Sequence, residues 1–116
     1  MNMKKRKHIR KISPTKTLYR KLWRECEEAW KQACLRRDNF RCAIHNLFTP
    51  TVQVDHFISR RKKATFFDPR NGTTVCRADN MLKAFGDPIG ITIARHVEKR
   101  EGKAAVDEML ASVAVI

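Results

Sequence analysis

The sequence has no apolar run near the roughly 18–20 residues that a membrane-spanning helix needs. Its basic amino end also lacks the apolar stretch and cleavage site of a secretory signal. No internal repeat and no low-complexity tract is present, which excludes a repeat array. A length of 116 residues suits one domain, because domains most often have about 100–150 residues. We therefore expect one soluble domain in the cytoplasm, with no membrane partner.

Acidic side chains are scarce. The chain has 12 Asp and Glu against 25 Lys and Arg, a formal net charge of +13, and its first carboxylate is Glu25. Cations placed on phosphates release condensed counterions, so a surplus of this size points to a polyanion such as DNA or RNA. Residues 1–12 are predicted to be a flexible basic arm, the alternative being a solvated tail. The arm's candidate DNA-binding residues are Lys4, Lys5, Arg6 and Lys7.

Hydrophobic periodicity predicts that residues 13–116 form a single α+β domain. Ser13-Pro14 supplies a helix cap and a first-turn proline, and apolar residues at helical spacing predict a helix over 15–37. On this helix Trp23 and Trp30 share one face, where we expect them to pack in the core and not to stack on bases. Strands are predicted over 52–57 and around 73–75, followed by shorter helices over 79–85, 91–100 and 103–113.

Four polar residues in the middle of the chain form a set suited to phosphodiester hydrolysis: Asp55, His56, Asn71 and Asn80. A hard divalent cation prefers oxygen ligands, which Asp55 and the side-chain carbonyl of Asn80 offer. A neutral His56 can take the proton from an attacking water, and Asn71 would orient that imidazole through its second nitrogen. Because side chains alternate along a strand, His56 shares a site with Asp55 only where the backbone kinks.

The four cysteines fall into two groups. An intracellular chain is expected to keep its thiols reduced, so their spacing is tested against metal sites first. The elements Cys42–His45 and Cys76–Asp79 each span four residues and end in a potential metal ligand. Cys26 and Cys34 lie in the first predicted helix and are expected to be buried as apolar residues.

Residues 37–83 contain the segments R-D-N-F-R-C, V-D-H-F-I-S-R, F-D-P-R-N-G and V-C-R-A-D-N-M-L-K. Together these segments resemble the HNH endonucleases, and specifically the phage NinG-like (Rap) recombination nucleases. The resemblance implies a small ββα-metal module with its core motif over 37–85, flanked by an amino-terminal helix and carboxy-terminal helices. We therefore expect one HNH nuclease domain over 13–116.

The resemblance also implies roles for individual residues. Asp55 and Asn80 would bind one Mg²⁺ or Mn²⁺ ion, His56 would be the general base, and Asn71 would orient it. Phosphate contacts are expected from a basic group of residues: Arg60, Arg61, Lys62, Lys63 and Lys83.

The chain departs from the family pattern in two ways. Asn80 stands where many relatives have His, and the second Cys of each zinc knuckle is replaced. The remaining ligands are Cys42, His45, Cys76 and Asp79. Zinc accepts thiolate, imidazole and carboxylate, so a structural Zn²⁺ is one expectation, and a degenerate knuckle held by hydrogen bonds is the other.

The expected function is metal-dependent hydrolysis of duplex or branched DNA, associated with phage recombination, replication or packaging in the host-cell cytoplasm. A homodimer or a phage protein is a candidate partner, although the sequence holds no leucine-rich seam long enough to assert a dimer. One alternative is a catalytically silent HNH-fold DNA-binding module, against which the complete Asp55, His56, Asn71 and Asn80 set argues. Another is an RNA-binding or ribosome-associated basic protein, which leaves that set unexplained.

Overall fold

The computed structural model of the chain describes residues 13–47, 49–84, 86 and 88–114. Within these ranges the expected α+β class is confirmed, with five α-helices and a two-stranded antiparallel sheet. The predicted arm and its four candidate DNA contacts lie outside the described residues. The elements are α1 (Pro14–Arg37), β1 (Val52–His56), α2 (Lys63–Phe66), a 3-10 turn (Pro69–Asn71), β2 (Gly72–Cys76), α3 (Arg77–Ala84), α4 (Ile89–Glu101) and α5 (Lys103–Val113).

Helix α1 begins where the sequence predicts. The Ser13 hydroxyl accepts a hydrogen bond from the Lys16 backbone N–H at 3.2 Å, and Pro14 occupies the first turn, where no donor is needed. The buried residues of α1, Trp30 and Cys34, lie in its carboxy-terminal half, where the helix meets the hairpin. Cys26 lies one turn before this contact and is exposed, so its predicted burial is wrong, whereas that of Cys34 is confirmed.

The hairpin packs directly against α1 because Gly72 has no side chain. A Cβ at this position would collide with Cys34 Sγ and lie 2.8 Å from the Trp30 ring. In the antiparallel register His56 lies opposite Gly72, and Asp55 lies opposite Thr73. The glycine therefore brings the Trp30 side of α1 against the end of β1 that carries Asp55 and His56.

Helices α4 and α5 complete the core. Gly102, with a φ of 89° that favours glycine, separates them, and α5 has the predicted bounds. Ile93 of α4 packs with Cys42 and Val75, and a second cluster joins both helices to the segment after β1: Ile58, Val97, Val106 and Met109. None of the described helices is long and apolar enough to cross a membrane.

Candidate active site and metal-ligand cluster

A cleft of about 730 Å³ opens beside α1, β1 and α3. Asp55, His56 and Asn80, three of the four predicted catalytic residues, line it together with Lys83. We call it the active-site cleft. Asp55 and His56 thus border one cavity although they are neighbours on a strand. The fourth predicted residue, Asn71, is fully buried and does not line the cleft.

His56 is held by aromatic rings and a backbone carbonyl. The Trp30 ring stacks on the imidazole, with centroids 4.1 Å apart and planes at 15°, and the Phe66 ring lies 4.6 Å away. The imidazole Nε2 is 3.1 Å from the Phe66 carbonyl oxygen. A carbonyl can only accept, so Nε2 carries the proton and a neutral ring keeps its lone pair on Nδ1. Burial lowers the pKa of His56, which favours this neutral form.

The predicted contact between Asn71 and His56 is wrong, because Asn71 bonds the loop that follows β1. Its Oδ1 accepts from the Ile58 backbone N–H at 2.6 Å, and its Nδ2 donates to the carbonyls of Ile58 at 3.2 Å and Thr65 at 3.1 Å. Both amide hydrogens are used in these bonds. Through Thr65, Asn71 therefore also fixes the short helix α2 that carries Phe66, and the Phe66 carbonyl is the group that orients His56.

Asp55 and Asn80 already have partners within the protein. Asp55 is 9% exposed, and its Oδ2 lies 2.6 Å from Lys83 Nζ, which also donates to the His56 carbonyl at 3.0 Å. Asn80 Nδ2 donates to Gln53 Oε1 at 2.8 Å, which leaves the Asn80 amide oxygen unused in that bond. The Asp55 carboxylate and the Asn80 amide each offer an oxygen at the cleft, the ligand type that Mg²⁺ and Mn²⁺ prefer.

At the end of the hairpin that carries Cys76, the ligand atoms of Cys42, His45, Cys76 and Asp79 all lie within 4.8 Å of one another. We call this group the metal-ligand cluster, and it can hold a metal ion. Five of the contacts between these ligand atoms have lengths of 2.9 to 4.0 Å. In tetrahedral zinc sites the metal–ligand lengths set these separations at about 3.3–3.8 Å. The spacing of the four residues in the sequence therefore predicted a real convergence.

Local backbone structure explains this convergence. Asn39, Phe40 and Asn46 adopt positive φ values around Cys42, and the Asn46 N–H donates to the Cys42 carbonyl at 2.7 Å, closing a tight turn. This turn is tied to the hairpin because the Ala43 N–H donates to the Thr74 carbonyl at 2.8 Å. The second pair of ligands comes from the junction between β2 and α3.

The side chains of the metal-ligand cluster also contact one another directly. The thiols of Cys42 and Cys76 donate to Asp79 Oδ2 at 3.2 and 2.9 Å, and His45 Nδ1 lies 3.0 Å from the same oxygen. Burial and the bond to Asp79 raise the pKa of Cys76 to about 11. A metal ion bound here must displace the Cys76 proton.

The predicted phosphate-binding residues divide between two surfaces. Arg60, Arg61 and Lys83 line the active-site cleft, whereas Lys63 lines a separate pocket beside α1. Lys62 is exposed at the start of α2. Trp30 and Glu27 are among the cleft residues to which the sequence assigned no functional role. Trp30 was expected only to pack. Glu27, which carries no motif, has a carboxylate oxygen 3.4 Å from Lys31 Nζ and 3.7 Å from a guanidinium nitrogen of Arg60.

Comparisons of the chain with protein-family models, with curated proteins and with solved structures found no significant match. The resemblance to HNH endonucleases therefore depends on the motif residues of the sequence alone.

Proposed function

We propose that the protein is a metal-dependent HNH endonuclease that hydrolyses phosphodiester bonds in DNA. The observation that carries this proposal is the setting of His56, a neutral imidazole beside Asp55 in the active-site cleft with Nε2 committed to the Phe66 carbonyl. This arrangement supports the role of Nδ1 as the base that accepts a proton from water. A histidine that served only to pack in the core would not be expected to line a cleft of this kind.

Asp55 and the Asn80 carbonyl would hold Mg²⁺ or Mn²⁺. When bound, the ion would neutralise negative charge on the phosphate and on the departing oxygen. His56 takes the water proton at Nδ1, and the Phe66 carbonyl stabilises the resulting imidazolium. Stacking on Trp30 holds the orientation of the imidazole ring. The cations lining the cleft, among them Arg60 and Arg61, bind the DNA phosphates.

The proposal includes Zn²⁺ as the ion of the metal-ligand cluster. Two thiolates, an imidazole and a carboxylate match the ligand types that zinc prefers and leave no coordination position open, as in structural sites. Phage recombination, replication or packaging as the setting, and branched DNA as a substrate, belong to the proposal through the motif resemblance alone.

A catalytically silent DNA-binding module is the second candidate, and the Lys83–Asp55 ion pair is the observation that favours it. The ammonium group already neutralises the carboxylate that would bind the catalytic ion. In a silent module this pair would be permanent.

The deciding experiment is a cleavage assay on supercoiled plasmid and on a four-way junction, with Mg²⁺, Mn²⁺ or EDTA. We expect His56→Ala to reduce cleavage by about 10²–10⁴-fold, because general-base catalysis contributes that much, while DNA affinity is unchanged. His96→Ala is the matched control, since His96 lies on α4 and does not line the cleft. Equal cleavage by His56→Ala and wild type would contradict the mechanism. Tight DNA binding without any metal-dependent cleavage by wild type would favour the silent module.

A further inference from the structure

A second pocket, of about 650 Å³, lies beside the amino-terminal half of α1 and has no part in the proposed mechanism. We call it the aromatic pocket. Its charged lining residues are all cations, and the lining comprises Thr17, Tyr19, Arg20, Trp23, Arg24 and Lys63. A concave site with aromatic walls and a cationic rim is complementary to a base carried on a phosphate backbone.

The aromatic residues of the pocket lie on helix α1 and contact further aromatic rings. Tyr19 is 56% exposed, and its ring centroid lies 6.1 Å from that of Trp23 at an interplanar angle of 33°. Behind the pocket, Trp23 packs on Phe66 at 4.8 Å and on Phe67 at 4.6 Å. Trp23 was expected to lie in the core, but it is only partly buried and packs on these rings from the pocket side, where the contacts hold its indole as part of the pocket wall.

We propose that the aromatic pocket binds an unpaired base of single-stranded DNA, with the base on Tyr19 and Trp23 and the adjacent phosphates on the surrounding cations. Arg20 and Arg24 suit this role because a guanidinium binds phosphate through two parallel hydrogen bonds. The inference rests on the proposed function for the choice of DNA as the polymer, and it specifies a substrate class, DNA with unpaired nucleotides near the bond that is cut.

One residue connects the pocket with the active-site cleft. The Phe66 ring contacts Trp23 on one side and lies 4.6 Å from the His56 ring on the other, while its carbonyl bonds His56 Nε2. A base stacked on Trp23 would therefore be separated from the proposed general base by the Phe66 ring alone. This continuity favours nucleic acid over a lipid surface as the occupant.

The exposed leucines of α1 allow the two occupants to be distinguished. Leu18 is 56% exposed, as Tyr19 is, and Leu22 is 49% exposed, but neither lines the pocket. A lipid surface would engage these leucines together with Tyr19, since apolar burial is non-directional. Base stacking would depend on Tyr19 and not on Leu18.

The test uses the full chain and fluorescence anisotropy with a labelled 15-nucleotide oligo(dT) and a duplex of equal length at one fixed salt concentration. Tyr19→Ala should weaken oligo(dT) binding about fivefold or more, because loss of one stacked base has an effect of that size. Duplex binding should change less than about twofold, since paired bases do not enter the pocket. Tyr19→Phe keeps the ring and should bind like wild type, and Leu18→Ala is the control of equal exposure.

Equal oligo(dT) affinity for Tyr19→Ala and wild type would overturn the proposal. So would an equal loss of binding to phosphatidylserine vesicles in Tyr19→Ala and Leu18→Ala with unchanged oligo(dT) affinity, which would identify a membrane surface. Failure of the proposed function is separable, because it appears as absent cleavage of plasmid by wild type. A selective Tyr19 effect on oligo(dT) in a protein that does not cut would retain the pocket and reject the nuclease.

Discussion

The two candidate ion sites lie towards opposite ends of one hairpin and are prepared for an ion in different ways. In the metal-ligand cluster, the four side chains converge on one point and bond to one another. In the active-site cleft, the Asp55 carboxylate is paired with the ammonium of Lys83. The metal-ligand cluster therefore has its ligands assembled, whereas in the active-site cleft the ammonium group of Lys83 pairs with the carboxylate that would bind the ion.

This difference separates a structural site from a chemical one. Four converging protein ligands leave no position for substrate, which suits an ion that joins the turn after α1 to the start of α3. Two oxygen ligands in an open cleft leave positions for water and phosphate. A carboxylate that is 9% exposed needs compensation when no ion is present, and Lys83 supplies it.

The largest expected effect tests the assembled site. Cys42→Ala should remove zinc binding and lower the free energy of unfolding, because an ion at one hundred times its Kd stabilises by about 2.7 kcal/mol. Metal content and thermal melting with and without EDTA measure both effects. Cys26→Ala, at an exposed cysteine, is the control. If EDTA shifts neither wild type nor Cys42→Ala, the cluster is a hydrogen-bonded knuckle and the contrast with the cleft disappears.

The next prediction concerns Lys83, whose ammonium group pairs with Asp55 in the active-site cleft. Lys83→Met should tighten Mn²⁺ binding about tenfold, since the ammonium no longer competes for Asp55, a change of about 1.4 kcal/mol. Mn²⁺ titration followed by electron paramagnetic resonance, on protein already loaded with zinc, measures this affinity. Lys31→Met is matched, because Lys31 lines the same cleft but pairs with Glu27. Unchanged or weaker Mn²⁺ binding would show that Asp55 is not a ligand for the ion.

Much of the fold was predictable because its signals are local. A cap at Ser13, a proline in the first turn and a glycine at 102 mark helix ends wherever they occur. The hairpin followed from alternating side chains. The metal-ligand cluster was predictable too, because each half lies within four residues and the hairpin needs only to bring the halves together.

The details of the cleft were not predictable, because they depend on the path of the backbone. No pattern in the sequence indicates that the Phe66 carbonyl, ten residues from His56, takes the place expected of Asn71. The Lys83–Asp55 pair joins residues 28 apart. The short α2 and the 3-10 turn, which create this path, have no hydrophobic period because each is about one turn long.

A smaller effect is expected in the pH dependence of cleavage, which reports on His56 in the active-site cleft. Burial disfavours imidazolium, so the pKa of His56 lies below the ordinary value of about 6.5. The neutral base persists to lower pH, and the acid limb of single-turnover cleavage should have its midpoint below about 6.5. A midpoint at or above the ordinary histidine value would mean that another group limits the reaction or that His56 is not held against Trp30 as described.

The last prediction concerns thiol labelling rates, and it tests whether the cluster is assembled before an ion binds. In zinc-loaded protein, Cys26 should react first with a thiol reagent, because it is exposed and has no part in the cluster. After chelation, Cys76 should still react more slowly than Cys26, since its pKa of about 11 leaves little thiolate at neutral pH. The hydrogen bond to Asp79 contributes to that slow rate, so Asp79→Asn should speed Cys76 labelling in the chelated protein. If Cys76 and Cys26 label equally fast after chelation, the ion itself assembles the cluster, and the two sites differ less than their geometry indicates.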